Sequence, residues 1–225
     1  MNYPPNDRAW IFVNGLLPDP EALAKRIQPE DTLIAADGGA RHLMQMGLVP
    51  HVLIGDLDSL TEEEVEDLKA KGTKVWRFPE YKDWTDLELA LNYALEREFK
   101  SIRLAAASGG RLDQQLANIF LLTRPELEGI DVALDDGTEV VFLIKNTRTI
   151  HGQPGDRVSL IPLDVQVEGV TTKGLQWALK EEPLYRSATR GISNIMGDDT
   201  AIISVRVGTL LCIHTRKEFI NEETN

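Results

Sequence analysis

The stretch Val52-Leu53-Ile54-Gly55-Asp56-Leu57-Asp58-Ser59, followed at once by Thr61-Glu62-Glu63-Glu64, decides the architecture. A short apolar run that ends in glycine and acids reads as a buried strand stopping at its carboxyl end. Thr61 and Glu64 have the spacing of a capping box, which opens a helix over residues 62–71. Alternate side chains of an extended chain share a face, so Asp56 and Asp58 are expected side by side. Two adjacent carboxylates repel, and burial strips their hydration. A hard cation relieves both costs, and Mg²⁺ prefers oxygen ligands and often binds substrate phosphates as well. The stretch therefore points to a strand–helix unit whose end carries metal-dependent phosphate chemistry.

On either side of this stretch the same unit repeats. Strands are predicted at 10–13, 32–36, 75–78 and 102–106 besides 52–54, and helices at 20–27, 40–46, 86–99 and 114–123 besides 62–71. A second capping box, Thr85 with Glu88, opens the longest helix, and Leu87, Leu91, Ala94 and Leu95 mark its apolar stripe. Repeated strand–helix units with short connections imply an α/β fold: an open, mostly parallel sheet with helices on both faces. Residues 132–134 and 140–144 read as further strands. Beyond about residue 146 helical periodicity fades, and short strands at 148–151, 157–161, 165–170, 201–207 and 210–214 are divided by Gly, Pro, Asp and Asn. That pattern predicts a small, sandwich-like all-β domain, giving an α/β domain over 1–145 and a β-rich domain over 146–225.

Composition narrows the function classes. Twenty-four basic against 36 acidic residues give a formal charge of −12, which disfavours general binding to nucleic acid or to an anionic membrane. Cys212 is the single cysteine, so an intramolecular disulfide is impossible, and its apolar setting reads as core. The amino-terminal residues lack the basic-then-apolar pattern of a signal peptide, and no apolar run is long enough to cross a bilayer; the expected compartment is the cytoplasm.

Ligands of open parallel sheets collect beyond the carboxyl ends of the strands. Four segments reach that edge: Asp37-Gly38-Gly39, Gly55-Asp56-Leu57-Asp58-Ser59, Lys82-Asp83-Trp84-Thr85-Asp86 and Ser108-Gly109-Gly110-Arg111-Leu112-Asp113. Taken singly, Asp86 and Asp113 are as well explained by helix capping and the helix dipole, and Asp37 by a turn. Their convergence on one edge is the functional signal. Ser108-Gly109-Gly110 offers backbone N–H groups to phosphate, and Arg111 adds a fork of donors. No Walker A loop, Gly-x-Gly-x-x-Gly or Gly-x-Ser-x-Gly elbow occurs. His42, His51, His151 and His214 lack zinc-type spacing and read as structural or exposed. In the second domain Trp177 reads by composition as a packing residue; the other reading stacks its indole on a flat heteroaromatic ring, with Ser193 and Asn194 supplying hydrogen bonds.

Together, Asp-Gly-Gly-Ala at 37–40, Gly-Asp-x-Asp-Ser at 55–59, Lys-Asp-x-Thr-Asp at 82–86, Gly-Gly-Arg-x-Asp at 109–113, Val-Thr-Thr-x-Gly-Leu-x-Trp at 170–177 and Ser-Asn at 193–194 resemble the thiamine pyrophosphokinase family, in unbroken order from about Asn14 to Ile213. The resemblance implies an enzyme that moves the terminal diphosphate of ATP to the thiamine hydroxyl, giving thiamine diphosphate and AMP. It implies Mg²⁺ at Asp56, Asp58 and Asp86, with Asp113 completing the catalytic acids. Asp37, Gly38, Gly39, Asp83, Ser108, Gly109, Gly110 and Arg111 would line the nucleotide, and Lys82, Gln114, Trp177, Ser193 and Asn194 would contact substrate. It also implies a homodimer with the active site at the subunit interface. The chain departs from the family pattern at Ala105-Ala106-Ala107, which lacks a glycine often found there, at Gln114 where many bacterial members carry His, and at Ile195-Met196 in place of a polar pair. The alternatives are a related pyrophosphokinase acting on a hydroxymethyl pterin, which segment 170–177 disfavours, and a non-catalytic thiamine or nucleotide binder.

Overall fold

The computed structural model describes residues 7–79 and 83–217, in two compact units, Met1–Gly137 and Thr138–Asn225. The first unit is built on six strands: β1 (Arg8–Phe12), β2 (Thr32–Ala36), β3 (Val52–Gly55), β4 (Lys74–Arg77), β5 (Ser101–Ala105) and β6 (Asp131–Asp135). They lie in the order β6-β5-β1-β2-β3-β4, every neighbouring pair parallel. Five helices alternate with them: α1 (Pro20–Ala24), α2 (Ala40–Gln45), α3 (Glu62–Ala70), α4 (Asp86–Glu96) and α5 (Leu112–Leu121). Both predicted capping boxes are formed. Thr61 and Thr85 accept from the N–H groups of Glu64 and Glu88, whose carboxylates accept from the threonine N–H groups in return.

Side-chain alternation divides the sheet's burial between two faces. Trp10, Phe12, Leu33, Ala35 and Leu53 share one core with Leu23 of α1, Ala40 and Leu43 of α2, and Val65 and Leu68 of α3. Each large side chain buried there contributes about 1.5–3 kcal/mol relative to exposure. The opposite parity, including Ile11, Ile34 and Ile54, is equally buried, and α4 packs across β1, β2 and β3. Away from the strands' carboxyl ends, buried Asp31 receives a bidentate contact from Arg8 (2.8 and 2.6 Å), the Trp10 indole N–H (3.0 Å) and the Gln28 N–H (2.8 Å). A carboxylate this well partnered fastens the sheet's amino-terminal edge.

The second unit contains β7 (Glu139–Ile144), β8 (Thr147–His151), β9 (Arg157–Pro162), β10 (Gln166–Lys173), β11 (Glu182–Tyr185), β12 (Asn194–Ile195), β13 (Thr200–Ser204) and β14 (Leu210–Thr215). They form two antiparallel ladders, β12-β9-β14-β7 and β11-β10-β13-β8. Strands β11 and β12 have no clear signal in the sequence: β11 contains Pro183 among charged neighbours, and β12 is two residues long. Cys212 is buried in β14, where burial pushes its thiol up to about 12 and leaves it an inert core residue. Among the described residues no helix is long and apolar enough to cross a membrane.

Candidate active site

The parallel sheet has one switch point. From β1 the chain steps outward through β2, β3 and β4, then returns to place β5 on the other side of β1. A crevice opens beyond the carboxyl ends of the strands at this point. Its floor is held by a backbone seam in which Val13, Gly15 and Leu16 donate to the carbonyls of Ala105, Ala106 and Ser108 at 2.9–3.0 Å. Gly15 permits this approach, since a β-carbon there would lie 2.3 Å from the Ala106 carbonyl oxygen. The resulting cavity of about 270 Å³ is lined by Asn14, Gly15, Asp37, Asp86, Ser108 and Gln114, among others. The Val13–Leu16 loop carries no acid and announces itself in the sequence only by its place after the first strand.

Beside the cavity stand the acids. Asp37 opens a tight turn, Asp37–Gly39, with a left-handed φ of 47°. A β-carbon on Gly38 would meet the Asn14 side chain at 2.5 Å, and one on Gly39 the Phe12 carbonyl oxygen at 2.0 Å. The two glycines thus let the turn close onto the end of β1 and set the Asp37 carboxyl over the strand ends. Asp56 and Asp58 do come together, but the expected geometry needs correction. They are not alternate residues of an extended strand. Leu57 between them has a φ of 66°, making a turn in which Asp58 N–H donates to Asp56 Oδ1 (3.3 Å). The Leu57 side chain is buried in the main core, and that anchor sustains a conformation costing about 1–3 kcal/mol. Ser59 N–H reaches back to Asp37 Oδ1 (3.4 Å). As a result Asp37, Asp56 and Asp58 each offer a carboxylate oxygen within 4.8 Å of the others.

Asp86, at the first turn of α4, flanks this trio. A β-carbon on Gly55 would stand 3.0 Å from Asp86 Oδ1 and 3.1 Å from Asp37 Cβ, so the missing side chain leaves room for both acids. Behind the trio, Arg41 of α2 makes a bidentate contact with Glu64 of α3 (3.1 and 3.0 Å). The guanidinium and the Thr61 N–H hold the Glu64 carboxyl down at about 2.

Asp113 lies apart from the trio. It is exposed and pairs with Arg111 through Nε (3.1 Å) and Nη2 (2.5 Å), and that pairing, with the Gln114 N–H, keeps its carboxyl below the usual range. Helix α5 begins at Leu112 rather than Gln114, which puts Asp113 in its first turn. Gly109 and Gly110 both have left-handed φ (80° and 75°). Ser108 donates to Asp136 (3.3 Å), and Asn118 of α5 holds the Ala107 carbonyl at 2.8 Å. Asp83 is exposed ahead of α4, and Lys82 lies outside the described residues. Two of the histidines serve structure: His42 sits 3.0 Å from the Gly15 carbonyl, and His51 Nδ1 accepts from Leu33 N–H, with burial lowering its basicity.

In the second unit Trp177 is 57% exposed, not the packing residue that composition favours. Asn194 is buried beneath it and bonded to its backbone, while Ser193 takes a left-handed φ of 57° and donates its N–H to Ser159 Oγ (3.0 Å). Of the six described non-glycine residues with left-handed φ, four (Asp37, Leu57, Ala106 and Ser193) lie on these site segments. Such strain collects where function fixes the backbone.

Two family models match the chain: the thiamin pyrophosphokinase catalytic domain over residues 23–134, and the thiamin pyrophosphokinase vitamin B1 binding domain over 145–210. The thiamine pyrophosphokinase of Bacillus subtilis (strain 168) is 30% identical over 189 residues, spanning 83% of this chain and 88% of the relative. A solved thiamine pyrophosphokinase structure from Bacillus subtilis superposes with a TM-score of 0.83 at 27% identity, covering 93% of this chain and 99% of that one. The thiamin pyrophosphokinase from Geobacillus thermodenitrificans gives 0.81 at 29%, covering 94% and 99%. The chain belongs to the thiamine pyrophosphokinase family.

Proposed function

We propose that this protein is an ATP-dependent thiamine diphosphokinase. The observation that carries the reading at the level of the site is the gathering of Asp37, Asp56 and Asp58, flanked by Asp86, at the mouth of the crevice beyond the carboxyl ends of the strands. In the proposed reaction the thiamine hydroxyl oxygen bonds to the β-phosphorus of ATP, the bridge between the α- and β-phosphates breaks, AMP leaves with that bond's electron pair, and the hydroxyl proton passes to solvent. Transfers of this kind depend on positioning and on neutralising charge.

The donor set is all carboxylate oxygen at close spacing, which fits a hard cation. Asp56, Asp58 and Asp86, together with Asp37, would hold Mg²⁺, which when bound offsets the charge on the transferring and departing phosphates. The left-handed Gly109-Gly110 turn and Ser108 cradle the nucleotide, and Arg111, released from Asp113, adds a bidentate contact to a phosphate oxygen. Gln114 and Lys82 contact substrate, and Trp177, with Ser193 and Asn194 beside it, presents its indole to the thiamine rings.

The working form is proposed to be a homodimer with the active site at the subunit interface. Support comes from α5, none of whose residues is buried and whose Leu112, Leu116 and Phe120 are exposed at helical spacing. Isotope placement tests the chemistry: label in the β-phosphate of ATP should appear in thiamine diphosphate, and label in the α-phosphate should stay in AMP. Label from the γ-phosphate alone in the product would refute it. Sedimentation of Leu116→Glu and Phe120→Glu tests the dimer, which should dissociate.

A further inference from the structure

The loop after β10 presents Trp177, and its construction assigns Asn194 a role apart from substrate contact. At its base Thr172 N–H donates to the Leu179 carbonyl (3.0 Å) and Leu179 N–H to Thr172 Oγ1 (2.8 Å). Along one side the loop pairs with the segment at β12: Gly197 N–H donates to the Gly174 carbonyl (2.9 Å) and Gln176 N–H to the Ile195 carbonyl (2.8 Å). At Trp177 that ladder gives way to a side chain. Asn194 Oδ1 accepts Trp177 N–H (3.1 Å), and Asn194 Nδ2 donates to the Trp177 carbonyl (2.7 Å). The same Oδ1 accepts Ile195 N–H (2.9 Å), so both of its lone pairs are engaged.

Asn194 is 7% exposed, whereas the tryptophan it grips is 57% exposed. A buried amide with its oxygen fully engaged is poorly placed to read a ligand. It is well placed to replace a backbone partner where the chain leaves the sheet. The frame behind it is also fixed. Met196 N–H donates to the Asp156 carbonyl (2.8 Å), and the buried Asp156 carboxylate takes His214 Nε2 (2.6 Å), Lys217 N–H (2.8 Å) and Gln153 N–H (3.1 Å).

We infer that Asn194 is a positioning residue, which clamps the backbone of Trp177 so that its exposed indole is ordered before a flat heteroaromatic cation arrives. Ordering the loop in advance removes part of the entropy cost of binding, so the clamp acts on acceptor affinity and not on the chemical step. The inference rests on the reading that Trp177 stacks on the thiamine rings.

The test is a double-mutant cycle of Asn194→Ala and Trp177→Ala, read as thiamine KM, kcat, ATP KM and acrylamide quenching of the part of the emission that Trp177→Ala removes, since Trp10, Trp76 and Trp84 also emit. Asn194→Ala should raise thiamine KM roughly tenfold, the worth of one or two neutral hydrogen bonds, with kcat and ATP KM within about twofold. In the Trp177→Ala background it should raise KM no further. Asn194→Thr fills more of the site than alanine but is too short to bridge both the N–H and the carbonyl of Trp177, so thiamine KM should rise as it does with alanine; this variant carries the test if the alanine does not fold. An unchanged thiamine KM, or the same KM increase with Trp177 absent, overturns the clamp. If Trp177→Ala itself leaves KM unaltered, the stacking reading fails instead. The clamp then stands or falls on quenching, which Asn194→Ala should increase.

Discussion

The Asp86 carboxylate lies against Gly55: a β-carbon at position 55 would stand 3.0 Å from Asp86 Oδ1, and 3.1 Å from Asp37 Cβ on its other side. The glycine that ends β3 therefore sets the separation of two acids from different segments. Gly55→Ala is expected to push one of them aside, and the φ of 150° at this position adds backbone strain of about 1 kcal/mol. Turnover should fall at least about tenfold, equivalent to about 1.4 kcal/mol of barrier, and the Mg²⁺ concentration for half-maximal rate should rise. Circular dichroism should stay native. Wild-type rates at wild-type Mg²⁺ would show that the spacing is immaterial.

The site aspartates Asp56 and Asp58 should respond to neutralisation oppositely to the scaffold aspartate Asp31 of the same unit. Asp56→Asn or Asp58→Asn removes one of three clustered charges, so turnover should vanish while stability without Mg²⁺ holds or rises by up to about 1 kcal/mol. Asp31→Asn strips a buried carboxylate from Arg8 and Trp10, so it should cost about 3–5 kcal/mol in denaturant melts while kcat of the folded fraction remains normal. Equal effects on both assays would erase the distinction between site and scaffold.

Gly39 faces the Phe12 carbonyl at a distance no β-carbon can occupy, whereas a β-carbon on Gly110 would meet open space. Gly39→Ala is expected to destabilise by about 1–3 kcal/mol or more, lowering Tm by roughly 2–4 °C per kcal/mol. Gly110→Ala meets only its left-handed φ and should cost about 1 kcal/mol while weakening ATP binding. Calorimetry on the pair separates crowding from conformational strain.

The Arg41–Glu64 contact ties α2 to α3 behind the acidic trio and depresses the Glu64 carboxyl from 4.5 to about 2. A depressed carboxyl contributes stability that is complete above the unfolded value and lost as pH falls through the folded one. The Tm gap between wild type and Glu64→Gln should therefore be constant above pH about 5 and close as pH falls toward 2. Glutamine can still serve the capping box, so the gap reports the charge. A gap independent of pH would contradict the ion pair's role.

The helix starts were legible because Thr61-x-x-Glu64 and Thr85-x-x-Glu88 state their own hydrogen bonds, and the parallel strands because apolar runs stop at Gly or Asp. Topology brings Asp37, Asp56, Asp58 and Asp86 to one edge, whereas Asp113 pairs with Arg111 and stays outside the trio. What the sequence could not convey was contact at a distance. Gly15 against Ala106, Gly39 against Phe12 and Gly55 between Asp37 and Asp86 are spaces left for remote atoms, with no local signature. The left-handed Leu57 was likewise hidden, since a buried leucine after a strand reads as more strand. The exposure of Trp177 has no signal in the sequence, because burial in short β segments depends on the loop that carries the side chain.

The protein is proposed to transfer a diphosphate rather than a single phosphate, at a cation-dependent acidic site. The most direct measurement is product analysis of the purified protein with ATP, thiamine and Mg²⁺. AMP and thiamine diphosphate should accumulate in equal amounts, and EDTA should stop both. Accumulation of ADP with thiamine monophosphate, or formation of neither AMP nor thiamine diphosphate, would contradict it.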